Sequence, residues 1–345
     1  MKVIQMGVGG FGEHWSKVLA ASDDVEVVAL VDVSAAALVE TCETFGYDPQ
    51  ICFPTLDAAL AQVKADLLIC VTPPAYHPEH VTAALQAGLH VICEKPMAST
   101  LDECMDMLKA ARATDRQFAV SQNYRYQPDI QTMAQLIEDG AIGTIGQIKL
   151  DFYKGWYFDE DNFRRTMPNP MIVDMSIHHF DLLRFVTGLE AETVRGEAWN
   201  PTWSDNTGDT STALHFTLNN GAHVVYNASW CAQGDFCNWN GNWLIEGDKG
   251  SLVYANGEIT LNKANGRYQV TKSKTIKPQQ MALTGQALLL RRFVQAAQKG
   301  KRAETDVADN LRSIGMVFAA ETAVATQRPT PILSPELKTL LANDK

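Results

Sequence analysis

No Cys-x-x-Cys pair occurs in this chain, no apolar run approaches the length of a membrane helix, and there is no internal repeat or low-complexity tract. The seven cysteines (Cys42, Cys52, Cys70, Cys93, Cys104, Cys231 and Cys237) are odd in number and scattered. They form neither a disulfide framework nor a zinc-ligand spacing, so reduced thiols and no metal site are expected. An excess of positive charge is missing too. With 29 Lys+Arg against 40 Asp+Glu the formal net charge is −11. That excludes a general nucleic-acid surface and adhesion to an anionic membrane, but not an anionic ligand held by local backbone amides. A secretory leader is not expected, because Glu13 and His14 interrupt the first apolar stretch early. These absences describe a cytoplasmic protein whose 345 residues suffice for two domains.

What is present begins at the first residues. Lys2–Met6 reads as a short strand, followed at once by Gly7-Val8-Gly9-Gly10-Phe11-Gly12, which matches G-x-G-x-x-G. A helical pattern follows over Phe11–Ala21, with Trp15, Val18 and Leu19 on one side. A β-rich run, Val25–Val31, then ends in Asp32. Strand, glycine loop, helix, strand and acidic residue in that order form a dinucleotide-binding fingerprint. Gly7 permits the tight turn, Gly9 lets backbone approach a pyrophosphate, and Gly12 allows helix and strand to pack closely. Gly10 and Phe11 open the helix, whose free N–H groups face the phosphates. Asp32 would accept hydrogen bonds from the ribose hydroxyls and repel a 2′-phosphate. No arginine follows it in Val33-Ser34-Ala35-Ala36, so NAD is expected over NADP.

Strand and helix alternate through the first third. Ala35–Phe45, Leu56–Ala61, His80–Ala87 and Leu101–Thr114 read as helices, and Asp66–Val71, His90–Cys93 and Gln117–Ser121 as strands. This βαβ pattern predicts a doubly wound Rossmann sheet over residues 1–122. Near Gln122 the pattern changes to a run of strand-like segments from Gly146 to Lys272, with turn signals at Asn219-Asn220-Gly221 and Asn256-Gly257. The expected fold is therefore α/β followed by α+β. Residues 123–345 would hold a mainly antiparallel, open-faced sheet, a helix near Asp174–Val186, and closing helices at Gly285–Gln298 and Asp306–Thr326.

Two clusters carry chemistry. Glu94-Lys95-Pro96 ends the His90–Cys93 strand, and ligands of such sheets sit at the carboxyl ends of the strands. Lys95 reads either as a group facing the coenzyme or as part of a surface Lys-Pro turn. The second cluster is Asp174-Met175-Ser176-Ile177-His178-His179-Phe180-Asp181. On a regular helix Asp174, His178 and Asp181 share one face, and a carboxylate one turn from an imidazole can set its tautomer and charge. The plainer alternative makes Asp174 a helix cap, packs His178 in the core and pairs Asp181 with Arg184. His179 points about 100° away and reads as structural.

Together these segments resemble the Gfo/Idh/MocA oxidoreductases over nearly the whole chain. The likeness rests on the glycine loop, Val71-Thr72-Pro73-Pro74-Ala75-Tyr76-His77 and Ala87–Pro96 with its Glu-Lys-Pro. Asn123-Tyr124-Arg125-Tyr126-Gln127-Pro128 and the Asp174–Asp181 cluster extend it. Ser176 stands where the family often has glycine. The resemblance implies hydride transfer between a nicotinamide and a secondary hydroxyl of a sugar, inositol or sugar derivative. In that reading His178 is the acid/base, Asp174 orients it, and Lys95 stabilises the developing alkoxide or takes the proton itself. Thr72, Pro73, His77 and Glu94 would line the coenzyme, and Arg125, Tyr153 and Arg164 would bind substrate. The resemblance also implies a homo-oligomer, dimer or tetramer, formed through the second sheet. Other readings are a non-sugar alcohol such as a dihydrodiol, glycoside cleavage with transiently used NAD, and a nucleotide-sensing regulator.

Overall fold

Burial of both faces of a continuous apolar strand requires cover on both sides, and the first part of the chain folds accordingly. The computed structural model describes residues 1–160 and 162–344. It divides into two compact units, the first built from Met1–Tyr126 and Leu283–Leu311, the second from Gln127–Ala282 and Arg312–Asn343.

In the first unit six parallel strands form one sheet: β1 (Lys2–Met6), β2 (Glu26–Val31), β3 (Cys52–Phe53), β4 (Leu67–Cys70), β5 (His90–Cys93) and β6 (Phe118–Val120). Their order, β3-β2-β1-β4-β5-β6, is that of a doubly wound dinucleotide fold. β4 is buried at every position, as its unbroken apolar run predicts. Local chemistry sets the helix ends. Ser34 caps Ala35–Phe45 by accepting from the Ala37 N–H, and Gly46 closes that helix at φ 74°. Thr100 and Glu103 form a reciprocal capping box on Leu101–Arg112. The helix expected from His80 starts at His77 instead, with Pro78 in its first turn, where a missing N–H costs nothing. Helix Gly285–Gln298 adds Leu289, Leu290 and Phe293 to the core around Val3, Trp15 and Ile69.

The second unit is organised by a nine-stranded sheet. Its strands are β7 (Ile145–Tyr153), β8 (Ala191–Trp199), β9 (Ser211–Leu218), β10 (His223–Ser229), β11 (Asn242–Gly247), β12 (Gly250–Ala255), β13 (Glu258–Ala264), β14 (Val270–Ile276) and β15 (Thr330–Pro331). They lie in the order β14-β13-β12-β11-β7-β10-β9-β8-β15. Every pairing is antiparallel except β7 with β10, which run parallel with Phe152 opposite Ala228 and Tyr153 opposite Ser229. Period-2 alternation turns Ile148, Leu150 and Phe152 inward. Helix Ser176–Thr187 lies against this inner face, with Phe180 edge-on to Phe216 at 5.1 Å and to Tyr226 at 5.3 Å.

That helix departs from expectation at its start. A π turn spans Met171–Met175, and regular α-helix begins only at Ser176. The Met171 carbonyl accepts both the N–H and the hydroxyl of Ser176, the latter at 2.8 Å. A glycine at 176 could supply only the first of these bonds. Two short elements, β3 and β15, and the helix Pro335–Ala342 were not anticipated.

The glycine loop shows where backbone contact is tightest. A Cβ on Gly12 would lie 2.3 Å from the Gly7 carbonyl oxygen, and both groups are backbone. Gly12→Ala should therefore lose about 1–3 kcal/mol of stability, read as a lowered denaturation midpoint. An unchanged midpoint would contradict this packing.

Candidate active site

The coenzyme cradle is built from the loop between β1 and helix Phe11–Ala20. Gly7 N–H donates to Val31 O at 2.8 Å. Asp32 Oδ2 accepts from Val8 N–H at 2.9 Å and Gly9 N–H at 3.4 Å, and Oδ1 accepts from Ser34 N–H at 2.8 Å. Gln5, fully buried within β1, pins the far side: its amide donates to Gly7 O (3.1 Å) and Gly12 O (2.7 Å) while its oxygen accepts from Ser16 (2.9 Å). Gln5 was not foreseen as a loop brace, although a lone amide inside an apolar strand was a visible signal.

A cavity of about 630 Å³ opens beside this loop, lined among others by Gly9, Asp32, Asp57, Thr72, Pro73 and Glu79. Three carboxylates and no lysine or arginine line it, which suits an uncharged ribose diol and opposes a 2′-phosphate. Gly9 bounds the cavity, and a Cβ there would meet only Ala37 Cβ at 3.7 Å, so the chain leaves the space above it to a ligand. The residues present thus fit NAD. Phe11 is exposed and stacks on His14 at 5.4 Å. Gly10, at φ 55°, turns the chain into the helix.

The remaining expected coenzyme residues divide. Thr72 and Pro73 line the cavity. His77 is absent from its lining: it is fully buried, with Nε2 2.6 Å from Thr72 O and Nδ1 3.1 Å from Pro96 O. It braces the loop after β4 against the loop that carries Lys95. Glu94 is likewise buried, accepting from Trp15 Nε1–H at 2.7 Å and from the Lys95 N–H at 3.1 Å. Burial pushes its carboxyl up, and the Trp15 bond pulls the other way. Lys95 stands at the carboxyl end of β5, and its bond to Pro96 is cis. Spacing did not predict that Cys70, His77 and Cys93 would meet, yet their ligand atoms lie within 4.8 Å of one another, all buried. The His77 ring nitrogens already face backbone carbonyls there.

In the second unit, Asp174 and His178 are both nearly buried. Asp174 is not a helix cap. It sits inside the π turn, and Arg164 holds it through two bonds, Nε to Oδ2 at 2.6 Å and Nη2 to Oδ1 at 3.4 Å. Single π turns are frequent at functional sites. Asp181 and Arg184 each have a partner elsewhere in the fold. Asp181 accepts from Ser313 at 2.8 Å, while Arg184 grips Glu190 at 2.7 and 2.9 Å. His179 is fully buried. Its Nε2–H donates to Trp239 O at 3.0 Å, leaving Nδ1 to accept from the Tyr226 hydroxyl at 2.8 Å.

Two expected substrate residues, Tyr153 and Arg125, lie in different units. Tyr153 lies on the open face of the sheet, the side opposite Phe152, whose ring packs 4.7 Å from His179. Consecutive strand residues point to opposite faces, so only one of these two aromatics can face the helix. Arg125 belongs to the first unit, where it binds Asp309 Oδ2 at 2.5 Å and Glu304 O at 3.1 Å. The segment after β7 adds groups that were not foreseen. Lys154 Nζ lies 2.8 Å from Asp235 and 5.0 Å from the Trp239 ring, which meets Trp156 edge-on at 5.1 Å.

Comparison with known proteins agrees with this geometry. Residues 1–122 match the profile described as "Oxidoreductase family, NAD-binding Rossmann fold", and residues 130–253 match the GFO/IDH/MocA C-terminal domain. The chain belongs to the GFO/IDH/MocA family. It is an NAD-binding oxidoreductase. Across 96% of its length it is 30% identical to protein y4oX of Sinorhizobium fredii, covering 95% of that protein. It is 25% identical to the D-apiose dehydrogenase of Paraburkholderia graminis, over 96% of this chain and 89% of that one. An Agrobacterium radiobacter oxidoreductase, solved with NAD+, L-tartaric acid and magnesium, shares the fold at TM-score 0.86 and 21% identity, over 96% and 98% of the two chains.

Two outcomes test the site as built. Gly9→Ala should keep its melting temperature, because the new methyl meets no backbone. It should weaken NAD binding at least tenfold in a calorimetric titration, because the methyl enters the ligand's space. Unchanged affinity would contradict the cradle. The second concerns His179, whose pKa burial lowers to about 4. The unfolded state takes its proton below about pH 6.5, whereas the native state resists protonation down to about 4. The stability it contributes is therefore present above pH 6.5 and lost as pH falls toward 4, roughly 3 kcal/mol in all. Denaturation midpoints across that window should fall steeply in the parent and less steeply in His179→Gln. Equal slopes would contradict a neutral His179.

Proposed function

We propose that this GFO/IDH/MocA protein is an NAD-dependent dehydrogenase acting on a secondary hydroxyl of a sugar, inositol or sugar derivative. The observation that carries the reading is the buried Asp174 carboxylate, held by Arg164 one turn ahead of His178, in a chain whose other unit offers an acid-lined cavity beside the glycine loop. The D-apiose dehydrogenase among its relatives supports a polyol, and L-tartaric acid in the Agrobacterium structure adds hydroxy acids to the candidates. Bound NAD supplies the hydride acceptor. His178 takes the hydroxyl proton, and Asp174 orients the imidazole. Lys95 donates a hydrogen bond to the reacting oxygen and steadies its negative charge. Arg164 positions Asp174, and the buried surroundings exclude water.

The chain is also proposed to be cytoplasmic and homo-oligomeric. The cysteines are free thiols, and among the described residues no helix is long and apolar enough to cross a membrane. The open sheet face exposes Tyr153, Trp199 and Val225, and strand register aligns Tyr153, Ser229, Ser211 and Trp199 in one row. Such a face suits packing against a second copy.

Absorbance at 340 nm with NAD and a panel of inositols, aldoses, sugar acids, amino sugars and a dihydrodiol tests the activity. A rate with one polyol is expected. In that assay Lys95→Ala and His178→Ala should each lose at least about a hundredfold in turnover while binding NAD almost as the parent does. Silence across the panel from a chain that binds NAD, or full turnover in both variants, would overturn the reading.

A further inference from the structure

The first unit holds a second site of chemistry, apart from Lys95. Cys42 lies on helix Ala35–Phe45 and Cys52 opens β3, and their sulfurs are 3.3 Å apart. Cys42 is buried in the small core behind the glycine loop, with Val8, Leu30 and Leu38, and Cys52 packs against the same core but is partly exposed. Each remaining cysteine lacks one half of this arrangement. Cys70, Cys93, Cys104 and Cys237 are buried, beyond the reach of a dissolved oxidant. Cys231 is partly exposed, but its close contacts are hydroxyls, the nearest being Thr210 at 2.9 Å.

We propose that Cys42 and Cys52 are a reversible disulfide site, closed by peroxide, at the adenosine end of the coenzyme unit. The Cys52 thiolate attacks one oxygen of hydrogen peroxide. A sulfur–oxygen bond forms, the oxygen–oxygen bond breaks, and the departing hydroxide leaves as water. The Cys42 sulfur then displaces the hydroxyl from Cys52, and that hydroxyl leaves with the Cys42 proton as a second water. Two thiols lose two electrons and peroxide is reduced to two waters. The sulfurs must approach to about 2.05 Å, a closure of little more than an ångström. The site adjoins the cradle, because Phe53 O accepts from the Asp32 N–H at 3.2 Å and Pro54 and Thr55 line the cavity. Burial first, and the bond to Cys42 second, push the Cys52 thiol up to about 12. Closure is therefore slow near neutrality and speeds up as pH rises and more thiolate forms.

The test treats the full chain with hydrogen peroxide at pH 7 and pH 9, then denatures it, titrates thiols and maps peptides without reduction. Two of the seven thiols should disappear, several-fold faster at pH 9. A peptide joining Cys42 to Cys52 should appear, and dithiothreitol should restore both thiols. Cys42→Ser, a small change that keeps the fold, should yield no cross-linked peptide and should carry Cys52 on to sulfinic acid. Seven intact thiols, a cross-link between other cysteines, or the same thiol loss in a Cys42→Ser/Cys52→Ser double variant would overturn the proposal.

Discussion

The architecture depends on one close approach of backbone to backbone. At Gly7 an added Cβ would lie 2.7 Å from Val71 O, and at Gly12 one would lie 2.3 Å from Gly7 O. Helix Phe11–Ala20 can therefore begin directly against the end of β1 and beside the loop after β4. That nearness brings Val8 and Gly9 N–H within reach of Asp32, and Gln5 within reach of both Gly7 and Gly12. The turn is fixed before any ligand arrives, so little ordering remains to oppose coenzyme binding. Gly9, free of such close contact, lines the cavity.

The second unit meets a different demand, which is to keep polar groups ordered inside an apolar layer. Buried polar atoms are costly unless bonded, and here they are linked in chains. Ser176, Tyr226, His179 and the Trp239 carbonyl form one, and Asp181, Ser313, Arg184 and Glu190 another. Arg164 and Asp174 form a third connection, at the π turn. The helix that bears His178 is thus anchored along its length, which is what a side chain needs if its position is to determine a rate. Ser176 in place of the family's frequent glycine belongs to this anchoring, since its hydroxyl donates to Met171 O and lies 2.9 Å from the Tyr226 oxygen.

Much of this was legible in the sequence because it is local. The glycine loop, Asp32 and the apolar run of β4 each lie within a short window. Contacts set by the topology were not. Arg125 was expected at the substrate, and its bond to Asp309, far along the chain, had no local signal. Tyr153 was read toward the site although period-2 alternation beside Phe152 allows only one of them inward. The bonds of His77 to the Thr72 and Pro96 carbonyls and of Glu94 to Trp15 had no local signal either. The parallel pairing of β7 with β10 had no local signal, since register between distant strands is settled by the sheet as a whole.

The central claim is that backbone amides and an acid-lined cavity make this a site for NAD in particular. The most direct measurement is a pair of calorimetric titrations of the same protein, one with NAD and one with NADP. The account predicts that NAD binds at least tenfold more tightly, because Asp32, Asp57 and Glu79 line the cavity and, among the described residues, no lysine or arginine there could hold a 2′-phosphate. Equal or tighter binding of NADP would contradict it.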